Sequence, residues 1–134
     1  MASVMALEPD WGPRVRSILR IMVGLLFLEH GLAKLFGFPS AAMHPAMFHL
    51  LWFAGVIEAL GGLLVALGLF TRYAAFIMSG EMAVAYFMSH APRNFFPMMN
   101  GGDAAVLYCL IFFYLFVVGG GAWSIDSLLG WDRQ

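Results

Sequence analysis

Residues 104–123 read "AAVLYCLIFFYLFVVGGGAW", a stretch without one charged side chain. A hydrocarbon core of about 30 Å takes roughly 20 helical residues to cross, so this stretch has the length and composition of a membrane span. In lipid every backbone N–H and C=O must be satisfied inside the protein, which leaves helices or closed barrels. Barrel strands would show roughly ten-residue segments of alternating polarity, and the sequence has none. The span is therefore predicted to be a helix.

Working outward, three further runs have comparable character, and the four predicted spans are Ser17–Phe36, Pro45–Phe70, Arg72–Ser89 and Asp103–Trp123. The chain has 134 residues, of which 62% are hydrophobic, 16% aromatic and 11% charged. Soluble domains carry about 25% charged residues. The expectation is an all-α membrane protein: one domain, residues 1–134, built as an antiparallel bundle of four transmembrane helices. The turn "LFTR" leading into Tyr73 is so short that spans two and three must be antiparallel neighbours. A net charge of −1 offers no basic surface for nucleic acid, and a single cysteine, Cys109, allows no internal disulfide.

The N-terminus, "MASVMALEPDWGPRVRSILR", places Glu8 and Asp10 ahead of its arginines, and no small-residue cleavage site follows the first apolar run. That run is expected to be a retained span. Arg14, Arg16, Arg20, Arg72 and Arg133 fall on one side of the predicted topology, which puts both termini in the cytoplasm of a bacterial inner membrane. Trp11, Trp52, Trp123 and Trp131 lie close to span ends, where interfacial aromatics anchor a helix. Phe112, Phe113 and Phe116 are expected to face lipid.

Against this background the ionisable residues inside the spans are informative. An isolated charge at the bilayer centre costs about 3 to 10 kcal/mol or more, so such residues face the interior and pair. Glu29, Glu58 and Glu81, from three different spans, are predicted at a similar depth. Gly55, Glu58, Gly62 and Val65 line one stripe, with small residues beside the carboxylate. His30 and Lys34 are an i, i+4 pair, whereas Glu29 points about 100° away from His30. His90, counted at the same pitch, falls almost opposite Glu81. The predicted site is an outward-opening polar pocket. Glu58, Glu81 and His30 are its proton-handling, catalytic candidates; Glu29, Lys34, Tyr86 and His90 are its ligand-binding candidates.

No metal site is expected. Neither Glu29, Glu58 nor Glu81 has a histidine three residues on, as di-metal carboxylate bundles require. Met43, His44, Met47 and His49 in one connection, and His90, Met98 and Met99 in another, have the thioether and imidazole ligands that copper favours, a weaker pattern. Cys109 reads as a buried inert thiol.

Arg20, Gly24, "HGLAKLFGF" at residues 30–38, "EALGGLLVALGLFTR" at 58–72 and "GGGAWSID" at 119–126 together resemble the DoxX-like family of small four-span proteins. Asp103 stands where that family more often has Glu, and Glu29 is not a general feature of it. The resemblance implies a bacterial inner-membrane bundle associated with oxidoreductase systems that pass electrons to quinone. The resulting expectation is an integral membrane subunit that binds a quinone-like or other small amphipathic ligand, with a soluble or membrane redox partner. No other cofactor is expected. The competing expectations are a non-enzymatic anchor or assembly partner and a small transporter component; a homo-oligomer is expected because four spans enclose only a narrow path. The residues by themselves leave catalytic turnover open.

Overall fold

A computed structural model describes residues 2–41, 45, 47 and 49–131, with only the backbone described for residues 2–10. The chain is helical, and the described residues contain no strand. Its elements are α1 (Ala2–Phe36), α2 (Leu50–Leu67), α3 (Thr71–Ala85) continuing as a π-helical turn (Tyr86–His90), α4 (Pro97–Asn100), α5 (Asp103–Val118) and α6 (Ile125–Leu128). Helix α1 packs chiefly against α2, and α3 against α5; α2 and α3 join the two pairs.

The helices differ from the predicted spans. Helix α1 begins at Ala2 and not near Ser17, and its 35 residues give about 52 Å of helix at 1.5 Å per residue. Helix α2 stops at Leu67, where Gly68 takes a positive φ of 72°. Amides of Gly68 and Leu69 turn back onto the carbonyls of Val65 and Leu64, at 3.1 and 2.9 Å, which ends the helix in a glycine cap. Helix α5 stops at Val118 because Gly119 leaves helical geometry at φ 84°, ψ −172°. Among the described residues only α2 combines a spanning length of 18 residues with a mean hydropathy of 2.1, and α5 is a shorter apolar helix. A soluble core helix of that hydropathy would be mostly covered, yet 28% of α2 is buried. Large apolar side chains such as Leu60, Phe76, Ile77, Leu107, Leu110 and Phe113 line the outside of the bundle. That surface suits hydrocarbon.

The core follows from close helix crossings. A methyl group at Gly24 would lie 2.5 Å from the Ala66 backbone nitrogen, one at Gly31 2.3 Å from that of Ala59, and one at Gly62 2.5 Å from that of Leu28. Backbone therefore meets backbone along the α1–α2 seam, as small residues allow in membranes. Phe27 fills the space between α1 and α5, meeting Tyr108 and Phe112 edge to face with ring centres 4.7 Å apart in each case. Phe112 is fully buried there, which corrects its expected lipid-facing position; Phe113 is exposed and Phe116 half-buried. Cys109 is half-buried, and its carbonyl accepts the Ser79 hydroxyl at 2.8 Å.

Candidate functional site

Two ends of the bundle hold buried polar groups. At one, here called the junction end, the α2–α3 turn meets the chain after α5. Arg20, 1% exposed, donates to the carbonyls of Gly120 and Trp123, the latter at 2.7 Å. Arg16 and Arg72 donate to Val118 and Val117 at 2.8 and 3.0 Å. Arg16 and Arg72 thus cover carbonyls that the C-terminus of α5 leaves without intrahelical partners, and Arg20 covers two in the chain that follows. Ser17 Oγ accepts the Trp123 amide at 2.9 Å, and the Asp126 carboxylate accepts the amides of Phe70 and Thr71 at 2.8 and 2.9 Å. Asp126 thereby caps α3, whose own N-cap, Phe70, offers no side-chain acceptor. A hollow of about 460 Å³ lies here, bordered by Phe70, Arg72, Tyr73 and Trp131.

The other end bears the long connections 37–49 and 91–102, and is called the connection end. Here the glycine seam has a chemical consequence. A methyl group at Gly55 would sit 2.8 Å from Lys34 Cβ, so the glycine is what lets the lysine cross onto α2. Lys34 Nζ donates to both oxygens of Glu58 at 2.6 Å. Both partners are nearly out of solvent, with side chains 13% and 4% exposed. Glu81 of α3 reaches the same point, where its carboxyl group faces that of Glu58 and the charge of Lys34. One of its oxygens, Oε2, is buried without a hydrogen-bond partner.

This cluster lies between two hollows. One, about 220 Å³, is bounded by Lys34, Glu58 and Glu81 on the inside and by Phe53, Ile57, Val84 and Met88 toward the flank. The second, about 390 Å³, again has Lys34 and Glu58 in its wall, together with His30, His90, Arg93 and Tyr108. Of the sequence candidates, Glu58, Glu81 and Lys34 are thus brought into direct contact, while His30 and His90 share the neighbouring hollow. Glu29 does not join them. It is exposed and borders a separate hollow of about 200 Å³ with His30, Ala33, Pro39 and Ser40, so the expectation of three carboxylates meeting is corrected to two. The reason is the 100° step between neighbours on a helix: α1 can turn either Glu29 or the His30–Lys34 face inward.

The position of His90 also differs from the count. The helix after Ala85 widens into a π turn, with the Ala91 amide bonded to the Tyr86 carbonyl at 2.9 Å. The wider turn lags the α-helical phase and brings His90 round to the hollow. Its ring is placed by Asn100, whose carbonyl lies 3.1 Å from Nδ1. Asn100 is 2% exposed, donates to Tyr86 Oη at 3.3 Å and to the Asn94 carbonyl at 2.9 Å, and accepts the Gly102 amide at 2.8 Å. Tyr86 is therefore tied to the connection and stacks on His90, rather than lining either hollow. Sequence reasoning missed Ser89, which borders both hollows, and Arg93 and Tyr108. Only the π turn, which leaves no local signal, makes Ser89 visible. Among the described residues no three His, Cys, Asp or Glu side chains come together as a metal site would need. Met43 and His44 lie outside the described residues; Met47, His49, Met98 and Met99 are exposed.

The DoxX family pattern matches residues 15–91, which run from α1 through the π turn and contain the whole Lys34–Glu58–Glu81 cluster. The chain belongs to the DoxX family. An uncharacterized protein of Haemophilus influenzae is 45% identical to this DoxX chain over 124 residues, covering 86% of it and 90% of the relative. An uncharacterized membrane protein of Mycobacterium tuberculosis is 31% identical over 157 residues, covering 96% and 94%. No solved structure matches. Family and relatives agree with the apolar exterior: this is a membrane protein.

Proposed function

We propose that this DoxX protein is a multi-pass subunit of an oxidoreductase-type system in a bacterial inner membrane, binding a small quinone-like amphiphile at the Lys34–Glu58–Glu81 cluster. The observation that supports the reading best is Glu81 Oε2, a buried carboxyl oxygen with no partner, on a residue bordering a cavity. A purely structural ion pair has no use for such an atom, because an unpaired buried acceptor costs about 1–3 kcal/mol. The cavity, about 220 Å³, is smaller than the roughly 300–1,000 Å³ of pockets that engulf a whole drug-sized molecule. It suits a polar ring whose apolar tail stays in lipid.

A quinone-like head fits the residues present: Glu81 accepts a hydroxyl proton, and the Lys34 ammonium supplies a donor at the inner side, with the His30 ring behind it in the neighbouring hollow. Such a group, when bound, supplies paired electron and proton transfer, with electrons from a redox partner. Arg14, Arg16, Arg20 and Arg72 gather toward the junction end, which supports cytoplasmic termini and an outward-facing connection end. In this reading all four main helices cross the bilayer, and native mass spectrometry tests the expected homo-oligomer.

The experiment is extraction of the protein in mild detergent and mass spectrometry of the lipids that accompany it. An isoprenoid quinone in near-stoichiometric amount is expected with the wild type and not with Glu81→Gln. A wild-type preparation as quinone-poor as the variant would sink the proposal. One observation favours the anchor reading as an alternative: Phe95, Phe96 and Met98 are exposed together at the connection end, where a partner could cover them. A protein recovered in fixed ratio without any small molecule would support it.

A further inference from the structure

Resting on the ligand reading, we propose that Lys34 and Glu58 are a partition between a lipid-side and a water-side chamber, across which the cluster exchanges protons between a hydroxyl-bearing amphiphile and water at the connection end. The two hollows differ in what surrounds their mouths. The smaller opens between α2 and α3 through Phe53, Ile57, Val84 and Met88, which are 48%, 36%, 56% and 60% exposed and belong to the apolar outer surface. The larger opens at the connection end beside His90 and Arg93, with His30 also exposed at its rim. Lys34, Leu51, Glu58, Ala85 and Ser89 border both, so the partition is one side-chain layer thick.

The charges facing one another in this layer are the Lys34 ammonium from α1, the Glu58 carboxyl from α2 and the Glu81 carboxyl from α3, with His30, His90 and Arg93 on the water side. One cation faces two carboxyl groups, and two carboxylates brought together out of water favour holding one proton between them. The cluster is therefore neutral when it holds one exchangeable proton, which suits a site out of water. In the exchange, an O–H bond of the seated amphiphile breaks, its oxygen keeps the electron pair, and an O–H bond forms at Glu81. The proton held in the Glu58–Glu81 contact leaves past Lys34 to cavity water and the His30 or His90 imidazole. No electron moves in this step.

The test uses the full chain in phosphatidylethanolamine–phosphatidylglycerol liposomes. Dicyclohexylcarbodiimide, which dissolves in lipid and adds to protonated carboxyl groups, is expected to give an N-acylurea on Glu81, read by peptide mass spectrometry and absent from Glu81→Gln. A water-soluble carbodiimide is expected to label Glu81 at least tenfold less; equal labelling, or none with the lipid-soluble reagent, overturns the two-sided site. On the water side, Ala105→Cys in a Cys109→Ala background is expected to react with a membrane-impermeant cationic methanethiosulfonate, and failure to react overturns that chamber's access. The exchange itself is read as the loss of the protonated carboxyl infrared band in heavy water. Lys34→Met is expected to slow it at least tenfold and Lys34→Arg to restore it; an unchanged rate in Lys34→Met overturns the relay. If quinone is absent from purified protein while these results hold, the quinone identity falls and the exchange stands. If quinone is present and both carbodiimides label alike, the reverse holds.

Discussion

The junction end and the connection end both bury charge, and they use it in opposite ways. At the junction end the inward charged side chains end on backbone: Arg16 and Arg72 on the last carbonyls of α5, Arg20 on carbonyls after it, and Asp126 on amides at the start of α3. At the connection end Lys34, Glu58 and Glu81 end on one another, beside open space, with one carboxyl oxygen unmatched. Backbone groups are fixed by the fold, so a side chain bonded to them is locked with it. Side chains bonded to side chains can rearrange when something else arrives. Some junction atoms also lack partners, namely Nε of Arg16 and Arg20 and Oγ1 of Thr71, but the guanidinium groups are held through their terminal nitrogens. The contrast teaches that burial of charge alone does not mark a working site; the partner does.

The contrast is broken most severely at Arg20. Replacing it with alanine removes two charge-assisted bonds, each worth about 1.5–3 kcal/mol, takes the guanidinium donor from the Trp123 carbonyl and leaves the Gly120 carbonyl to the longer Ser17 hydroxyl bond at 3.3 Å. A loss of about 3–5 kcal/mol is expected, read as the disappearance of monodisperse protein in size-exclusion chromatography and a large drop in thermal midpoint. Arg20→Lys should rescue it only in part, because one ammonium cannot reproduce the planar fork. A variant as stable as wild type would show that the junction is not a lock.

Next comes the seam that delivers Lys34. Gly31→Leu places a side chain where even a methyl group lies 2.3 Å from the Ala59 nitrogen, and overpacking of this kind costs about 1–3 kcal/mol or more. The expected loss is about 3 kcal/mol, together with weaker quinone retention, because α1 and α2 must separate at the Lys34–Glu58 pair. Destabilisation with unchanged retention would uncouple the seam from the site. Asp126→Ala, which removes the borrowed cap of α3, is expected to cost about 1–2 kcal/mol and to leave retention unchanged.

Much of this was legible in the sequence and some was not, for identifiable reasons. The stripe Gly55, Glu58, Gly62 could be read because spacing by three and four residues fixes a helix face, and that face does meet α1 at Lys34 and Leu28. The choice between Phe112 and Phe113 could not be read, since α5 is apolar all round and its sequence contains no signal for which side packs on Phe27. The facing of His90 is not legible, since a count at one helical pitch does not see the π turn that brings it to the hollow. Helix ends were overrun because apolar composition continues through Gly68 and Gly119, where backbone conformation and not polarity stops the helix. The motif "GGGAWSID" was recognised as a signature, but its role in receiving Arg20 and in lending Asp126 to α3 depends on contacts a hundred and more than fifty residues away in sequence.

The smallest expected effect on stability sharpens the comparison furthest. Glu81→Gln keeps the size of the side chain, and its amide nitrogen is a donor facing the carboxylate that Lys34 already holds. The orphaned Oε2 has no partner to lose, so thermal stability should shift by less than about 1 kcal/mol. Quinone retention and carbodiimide labelling should nevertheless vanish, because an amide neither accepts the ligand's proton nor forms the acylurea. A stability loss as large as that of Arg20→Ala would place Glu81 among the structural locks, and the two ends of the bundle would then use charge alike. A stable variant that no longer holds its ligand would separate them, since the site would be lost while the fold that built it stayed.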